Sequence, residues 1–193
     1  MKGRPAARAG SVRIIAGTLR NSRIEVVDLP GLRPTPGRVR ETLFNWLAPG
    51  LAGVQALDLC AGTGALGIEA LSRGAAGVQF VESDPRAAQA LRANLARLKA
   101  TEGRVAQADA TRFLQGPPRR FGLVFLDPPF GADLWAGLAQ QLEQREWLHP
   151  GAWIYLESPR RQPPAVPANW APHRQAEAGE VRYALYRRTT AVG

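Results

Sequence analysis

The segment VQALDLCAGTGALG, residues 54–67, decides the fold. An apolar run ends at Asp58, and three glycines follow in the spacing G-x-G-x-x-G at Gly62, Gly64 and Gly67. A helix-forming stretch over 65–73 continues from the loop. Strand, glycine turn and helix in that order let a backbone approach a ligand closely, because glycine tolerates both the tight turn and the contact. The loop alone leaves the ligand open. Nicotinamide, flavin and S-adenosylmethionine sites all use it, and the same glycines also serve plain helix–strand packing.

Downstream, the chain alternates between two periods. GVQFVES (77–83) reads as a strand, and PRAAQALRANLARLKA (85–100) as an amphipathic helix with Ala88, Leu91, Leu95 and Leu98 on one face. Pro85 falls in its first turn, where proline is favoured. RVAQAD (104–109) and FGLVFLD (121–127) are two more strands, with a short helix around 110–115 between them. DLWAGLAQQLEQREWL (133–148) reads as a helix and GAWIYLES (151–158) as a strand. A proline-rich connection at 159–172 leads to a closing strand, EVRYALYRR (180–188). Alternating units of this kind predict an α/β fold with a mainly parallel sheet between helices, and closing strands joined without a helix predict antiparallel pairing.

Upstream, SVRIIAG (11–17) and SRIEVVDL (22–29) read as two short strands around a turn containing Asn21. RVRETLFNWLA (38–48) then sets Val39, Leu43 and Trp46 or Leu47 at helical spacing. The expected organisation is a basic flexible tail over 1–10, a hairpin-and-helix extension over 11–50, and a catalytic domain over 51–193.

Composition narrows the classes. A single cysteine excludes an intramolecular disulfide framework, and two separated histidines without further thiols give no expected metal site. No apolar stretch has membrane-span length and the N-terminus lacks a signal-peptide core, so the expectation is a soluble cytoplasmic protein. The net charge of +9 is uneven: residues 1–40 hold nine basic residues against Glu25 and Asp28, a net of +7. Such an arm suits a polyanion, nucleic acid above all.

Four strand ends carry acids: Asp58, Glu82, Asp109 and Asp127. Glu82, twenty positions after Gly62, is placed to accept from ribose hydroxyls, and Asp109 to meet an adenine amino group. The fourth acid sits in LVFLDPPFGA (123–132). Pro128 and Pro129 cannot extend a sheet, so Asp127 and Phe130 are presented rigidly at the strand's carboxyl end, where open α/β sheets bind ligands.

These motifs, LDLCAGTGALGIEALSRGA, VESD, ADATRF and DPPF, resemble those of class I S-adenosylmethionine-dependent methyltransferases. VRIIAGTLRNSRI, GLRPTPGRVRETLFNWLAP, VPANW and YALYRR are similar, more narrowly, to the bacterial RsmD family of small-subunit rRNA guanine-N2 methyltransferases. The resemblance runs from about residue 11 to 190. It implies a Rossmann-like fold, with a mostly parallel seven-stranded sheet, an antiparallel terminal strand and a small N-terminal extension. It implies S-adenosylmethionine as cofactor, S-adenosylhomocysteine as product, and no metal. The cofactor would be held by Asp58, Cys60, Gly62, Gly64, Gly67, Glu82, Ser83, Asp109, Ala110 and Asp127. Asp127, Pro128, Pro129 and Phe130 would form the catalytic corner. The implied partner is 16S rRNA, in an assembled or assembling small subunit with ribosomal proteins nearby; a monomer without membrane contact is the default. Candidate RNA contacts are Arg13, Arg20, Arg23, Arg33, Arg38 and Arg40.

The chemistry agrees with that resemblance. A guanine amine is a poor nucleophile because its lone pair is delocalised into the ring. Asp127 and the Pro128 carbonyl could accept its two hydrogens, and Phe130 could stack on the extruded base. Two departures stand out: Gly37 occupies a position where the family usually has aspartate, with Glu41 as the possible compensation, and the family's GGxxRGR element reads AGTLRNSR. Cys60 and Trp46, Trp135, Trp147, Trp153 and Trp170 are expected to pack. The alternatives are N6-adenine methylation of DNA or RNA, a nicotinamide oxidoreductase, and a non-catalytic RNA-binding assembly factor.

Overall fold

The computed structural model describes residues 10–32, 34–130 and 134–189. The expected tail therefore lies outside the described residues except for Gly10, and so does Arg33.

Two short strands open the chain, β1 (Gly10–Arg13) and β2 (Arg23–Val26). They pair antiparallel with Val12 opposite Ile24, and Asn21 takes the left-handed conformation in the turn, φ 67°. Helix α1 (Gly37–Leu47) follows and buries Val39, Leu43, Phe44 and Leu47. The remaining elements alternate: β3 (Gln55–Asp58), α2 (Ala65–Ser72), β4 (Gly77–Glu82), α3 (Pro85–Arg97), β5 (Gly103–Gln107), α4 (Ala110–Leu114), β6 (Phe121–Leu126), α5 (Trp135–Gln144) and β7 (Leu148–Pro159). Two strands close the chain, β8 (Trp170–Ala178) and β9 (Val181–Arg188).

Seven strands form one sheet in the order β5-β4-β3-β6-β7-β9-β8. The first five are parallel, and β9 inserts antiparallel to both β7 and β8. The chain winds outward from β3 in one direction through β4 and β5, then in the other through β6 and β7. The carboxyl ends of β3 and β6 therefore flank the topological switch point, where such sheets open a crevice.

Each face has its own core. Phe44, Phe80, Phe125 and Tyr155 pack beneath α1, α2, α3 and the hairpin; Leu57, Val124, Ile154 and Trp147 pack beneath α4 and α5. The N-terminal extension shares the first core, since Val12, Ile14 and Ile24 belong to it. Polar ties reinforce the join. Glu69 on α2 accepts from the backbone N–H groups of Ile15 (2.8 Å) and Ala16 (3.1 Å). Asn94 on α3 bonds both backbone groups of Glu25.

Three expectations shift. The seventh strand, Trp170–Ala178, overlaps the end of the expected proline-rich connection. It is an edge strand in which Pro172 is tolerated and the register slips between Pro172 and Arg174. The helix expected to 148 ends at Gln144, because Glu146 turns left-handed (φ 59°) and Leu148 pairs with Phe121 as the start of β7. Arg40, expected among the RNA contacts, is buried. Among the described residues no helix is long and apolar enough to cross a membrane.

Candidate active site at the carboxyl ends of the sheet

The glycine loop is pinned on three sides. Leu59 N–H donates to the Phe125 carbonyl (3.1 Å), Ala61 N–H to the Val81 carbonyl (2.9 Å), and Gly62 N–H to Glu82 Oε2 (2.7 Å). Gly64 has φ 76°, which a side-chain-bearing residue rarely adopts. A Cβ at Gly67 would lie 2.2 Å from the buried Phe80 ring. Gly67 is thus required by helix–strand packing, while in the loop ahead of it Gly62 is part-exposed, with its N–H held by Glu82.

The acids surround this loop in different states. Asp58 is buried and accepts from Gly67 N–H (3.1 Å). Burial pushes its carboxyl up to about 7, against that hydrogen bond, and the Glu82 charge adds to the rise. Glu82 holds Gly62 N–H on one oxygen and Asp84 N–H (2.8 Å) on the other. Ser83 next to it is exposed. Asp109 caps α4 by accepting from Arg112 N–H (2.9 Å) and stays exposed. Ala110, its neighbour, is buried in the second core, so it offers a ligand little more than backbone. Cys60 is half-buried among them. Burial raises its thiol, and the charges of Asp58, Asp127, Glu82 and Asp109 raise it further, so it is a neutral packing thiol and no nucleophile.

At the end of β6, Asp127 is partly exposed, Pro128 is buried, and Pro129 and Phe130 are exposed. Phe130 is 42% exposed, a large hydrophobic ring left in solvent beside the half-buried Asp127. Its ring centroid stands 5.7 Å from that of Trp135. Burial, then Glu157, then Asp58 hold the Asp127 carboxyl well above the usual carboxylate range.

Glu157 and Tyr155 were given no role by the sequence reading. Glu157 is 5% exposed at the end of β7 and accepts from the Tyr155 hydroxyl at 2.7 Å. A signal was present: the apolar run 152–156 ends in an acid, as the strands ending at Asp58, Glu82 and Asp127 do.

Of the arginines expected to face RNA, Arg13, Arg20, Arg23 and Arg38 are exposed on the hairpin and α1. Arg40 is not. It is 4% exposed, paired with Glu69 at 3.3 Å and bonded to the carbonyls of Thr35 and Arg13. A guanidinium committed to three interior partners offers nothing to a phosphate, so Arg40 is a structural tie between α1, the hairpin and α2. A separate hollow of about 690 Å³ runs along α4, lined by Gln79, Arg112, Phe113 and Arg119; it touches Asp109 but neither Asp127 nor the glycine loop.

The acids fit a cationic nucleoside such as S-adenosylmethionine: they gather at the carboxyl ends of the strands beside the glycine loop, and Asp109 has an oxygen free of the cap.

Residues 12–187 match the family model described as conserved hypothetical protein 95. The chain is 49% identical over 181 residues to ribosomal RNA small subunit methyltransferase D of Escherichia coli K12, covering 93% of this chain and 91% of that one. It is 42% identical over 182 residues to the protein of the same name from Haemophilus influenzae, covering 92% and 94%. The solved structure of the putative methyltransferase yhhF from Escherichia coli superposes with a TM-score of 0.88 at 46% identity, covering 93% and 99%.

Proposed function

The chain belongs to the RsmD family of S-adenosylmethionine-dependent methyltransferases, and on that premise we propose that it methylates the exocyclic N2 amine of a guanine in small-subunit ribosomal RNA. The observation that carries the reading is the corner at Asp127: an acid with a reachable carboxyl, a proline carbonyl and an exposed aromatic ring, all beside a glycine loop. The relatives' names supply the class of RNA.

The bound cofactor supplies an electrophilic methyl group on a positively charged sulfur. The rest is the work of this chain. Phe130 stacks on the extruded base, and Asp127 with the Pro128 carbonyl accepts the two amine hydrogens. Holding both hydrogens in the plane of these acceptors aims the nitrogen lone pair away from them, toward the methyl. Positioning of this kind accounts for much of the barrier lowering when the leaving group is already good. Gly62, Glu82 and Asp109 hold the cofactor's nucleoside end. Arg13, Arg20, Arg23 and Arg38 engage phosphates on the flanking surface, orienting the RNA without reading its bases. The extension over 11–50 is thus the RNA-positioning part and 51–193 the catalytic part, packed on one core. The protein acts in the cytoplasm as a monomer on the rRNA of an assembled or assembling small subunit, without a metal.

The test is transfer of labelled methyl from S-adenosylmethionine to small subunits lacking the modification. Wild type labels the rRNA, and Asp127→Ala loses about a hundredfold or more in rate while still binding the cofactor. Full activity in Asp127→Ala would remove the mechanism.

A further inference from the structure

We propose that Glu157 is a positioning residue acting through Asp127: the two carboxyls share a single proton, and Glu157 takes over, by way of Asp127, the proton released when the amine is methylated. This rests on the methyl-transfer reading above.

The strand register brings the pair together. Phe125 lies beside Tyr155 and Leu126 beside Leu156 on the parallel strands β6 and β7. One further step sets Asp127 beside Glu157, both on the face that carries Phe125 and Tyr155, with neighbouring strands about 4.8 Å apart. Glu157 is held in place from several directions. The Tyr155 hydroxyl donates to its Oε1 (2.7 Å), and the Trp135 indole donates to its backbone carbonyl (2.6 Å). Thr35, from the segment that precedes α1, lies beside the carboxylate and favours its charged form.

No cation pairs with either acid among the described residues; the ion pairs present involve other carboxylates. Two adjacent carboxylates, Glu157 buried and Asp127 half-buried, resist ionising together near neutral pH without a counter-ion, so one proton stays with the pair. The surroundings decide where it rests. Burial raises Glu157, but the hydrogen bond from Tyr155 and the nearby Thr35 favour its charged form. Asp127 is raised by burial, by Glu157 and by Asp58. The proton therefore rests on Asp127. Tyr155 is itself pushed well above its ordinary range by burial and by Glu157, so it remains a donor. The other titratable groups facing the pair are Asp58 on β3, Cys60 in the glycine loop and Tyr183 on β9.

The balance of the step follows. The amine lone pair forms the C–N bond as the C–S bond breaks, its electrons leaving with the sulfur. One amine proton passes to the carbonyl oxygen of Asp127 while the Asp127 hydroxyl proton passes to Glu157. Both acids end neutral, and the excess proton leaves to solvent after product release.

The test is Glu157→Gln, whose amide oxygen still accepts from Tyr155 but which cannot take a proton. Wild type should show an acid limb in the pH dependence of kcat/KM, where the pair takes up its second proton. In the variant that limb should move to higher pH, because Asp127 alone must then be ionised, with S-adenosylmethionine affinity within about twofold of wild type. Infrared spectra followed through a pH titration should show a protonated carboxylic acid band that persists to higher pH in the wild type than in the variant, since Glu157→Gln removes the neighbouring charge while burial and Asp58 stay. An unmoved acid limb, or no such difference in the band, overturns the inference, as does a variant that loses cofactor binding and stability together. The infrared measurement needs no turnover. A wild type that shows the band but labels no rRNA would defeat the functional reading and leave the paired carboxyls standing.

Discussion

Removing the Glu69 carboxylate should loosen the N-terminal extension from the catalytic fold and cost much of the protein's stability. Glu69 is fully buried on α2 and accepts from four donors, two in the segment after β1, one on α1 and one at the end of its own helix. They are the N–H groups of Ile15 (2.8 Å) and Ala16 (3.1 Å), Arg40 Nη1 (3.3 Å) and, one helical turn on, Arg73 Nε (2.8 Å). Glu69→Ala strands Arg40, 4% exposed, without its anion and leaves two backbone donors unmatched. Losing one partner of a buried pair costs about 3–5 kcal/mol. For a chain of this size, about 4 kcal/mol corresponds to a Tm lower by roughly 8–16 °C. Glu69→Gln keeps an acceptor for one of the two N–H groups but turns an amide donor toward the other, so it should recover only part of the loss. Urea unfolding followed by circular dichroism measures the loss, and limited proteolysis should cut the variant first within the hairpin. An Ala variant within about 1 kcal/mol of wild type would refute the claim that this carboxylate joins the two parts.

Further outcomes follow from single residues. Asp58 ionises near 7 when folded against about 3.8 in a free chain, so the folded protein binds the extra proton between those values and loses stability as pH rises through them. Three pKa units at about 1.4 kcal/mol each give about 4 kcal/mol, and Asp58→Asn should flatten that slope and exceed cofactor-free wild type in stability at pH 8. Gly67→Ala must push a methyl group into the Phe80 ring and should cost about 1–3 kcal/mol in urea unfolding. Arg20→Ala, Arg23→Ala and Arg38→Ala should each reduce the salt dependence of RNA binding by about one unit of slope, whereas Arg40→Ala should reduce folding stability instead.

The parts of the fold that follow from local pattern were readable in the chain. VQALDL, the glycine turn and the helix after it fall where the spacing puts them, as does α3 with Asp84 capping it through Arg86 and Ala87 N–H groups. The resemblance to a known family named the sheet's size, and the strand order agrees with a Rossmann-like methyltransferase. What was missed depends on partners distant in sequence. Arg40 reads as a surface charge until Glu69, 29 residues on, is folded against it. Trp170–Ala178 is polar and holds a proline, and only its place at the sheet edge beside β9 makes it a strand. Glu157 gains meaning from Asp127, thirty residues earlier, through a parallel register that no local pattern encodes. Phe130 was legible because two prolines fix it outside the sheet, and it is indeed exposed.

The most direct measurement is the identity of the methylated nucleoside. Small-subunit rRNA that lacks the modification is treated with this protein and isotopically labelled S-adenosylmethionine, digested to nucleosides and analysed by mass. N2-methylguanosine carrying the label, absent with Asp127→Ala, is the predicted result. Label in methyladenosine, or in no nucleoside at all, would contradict it.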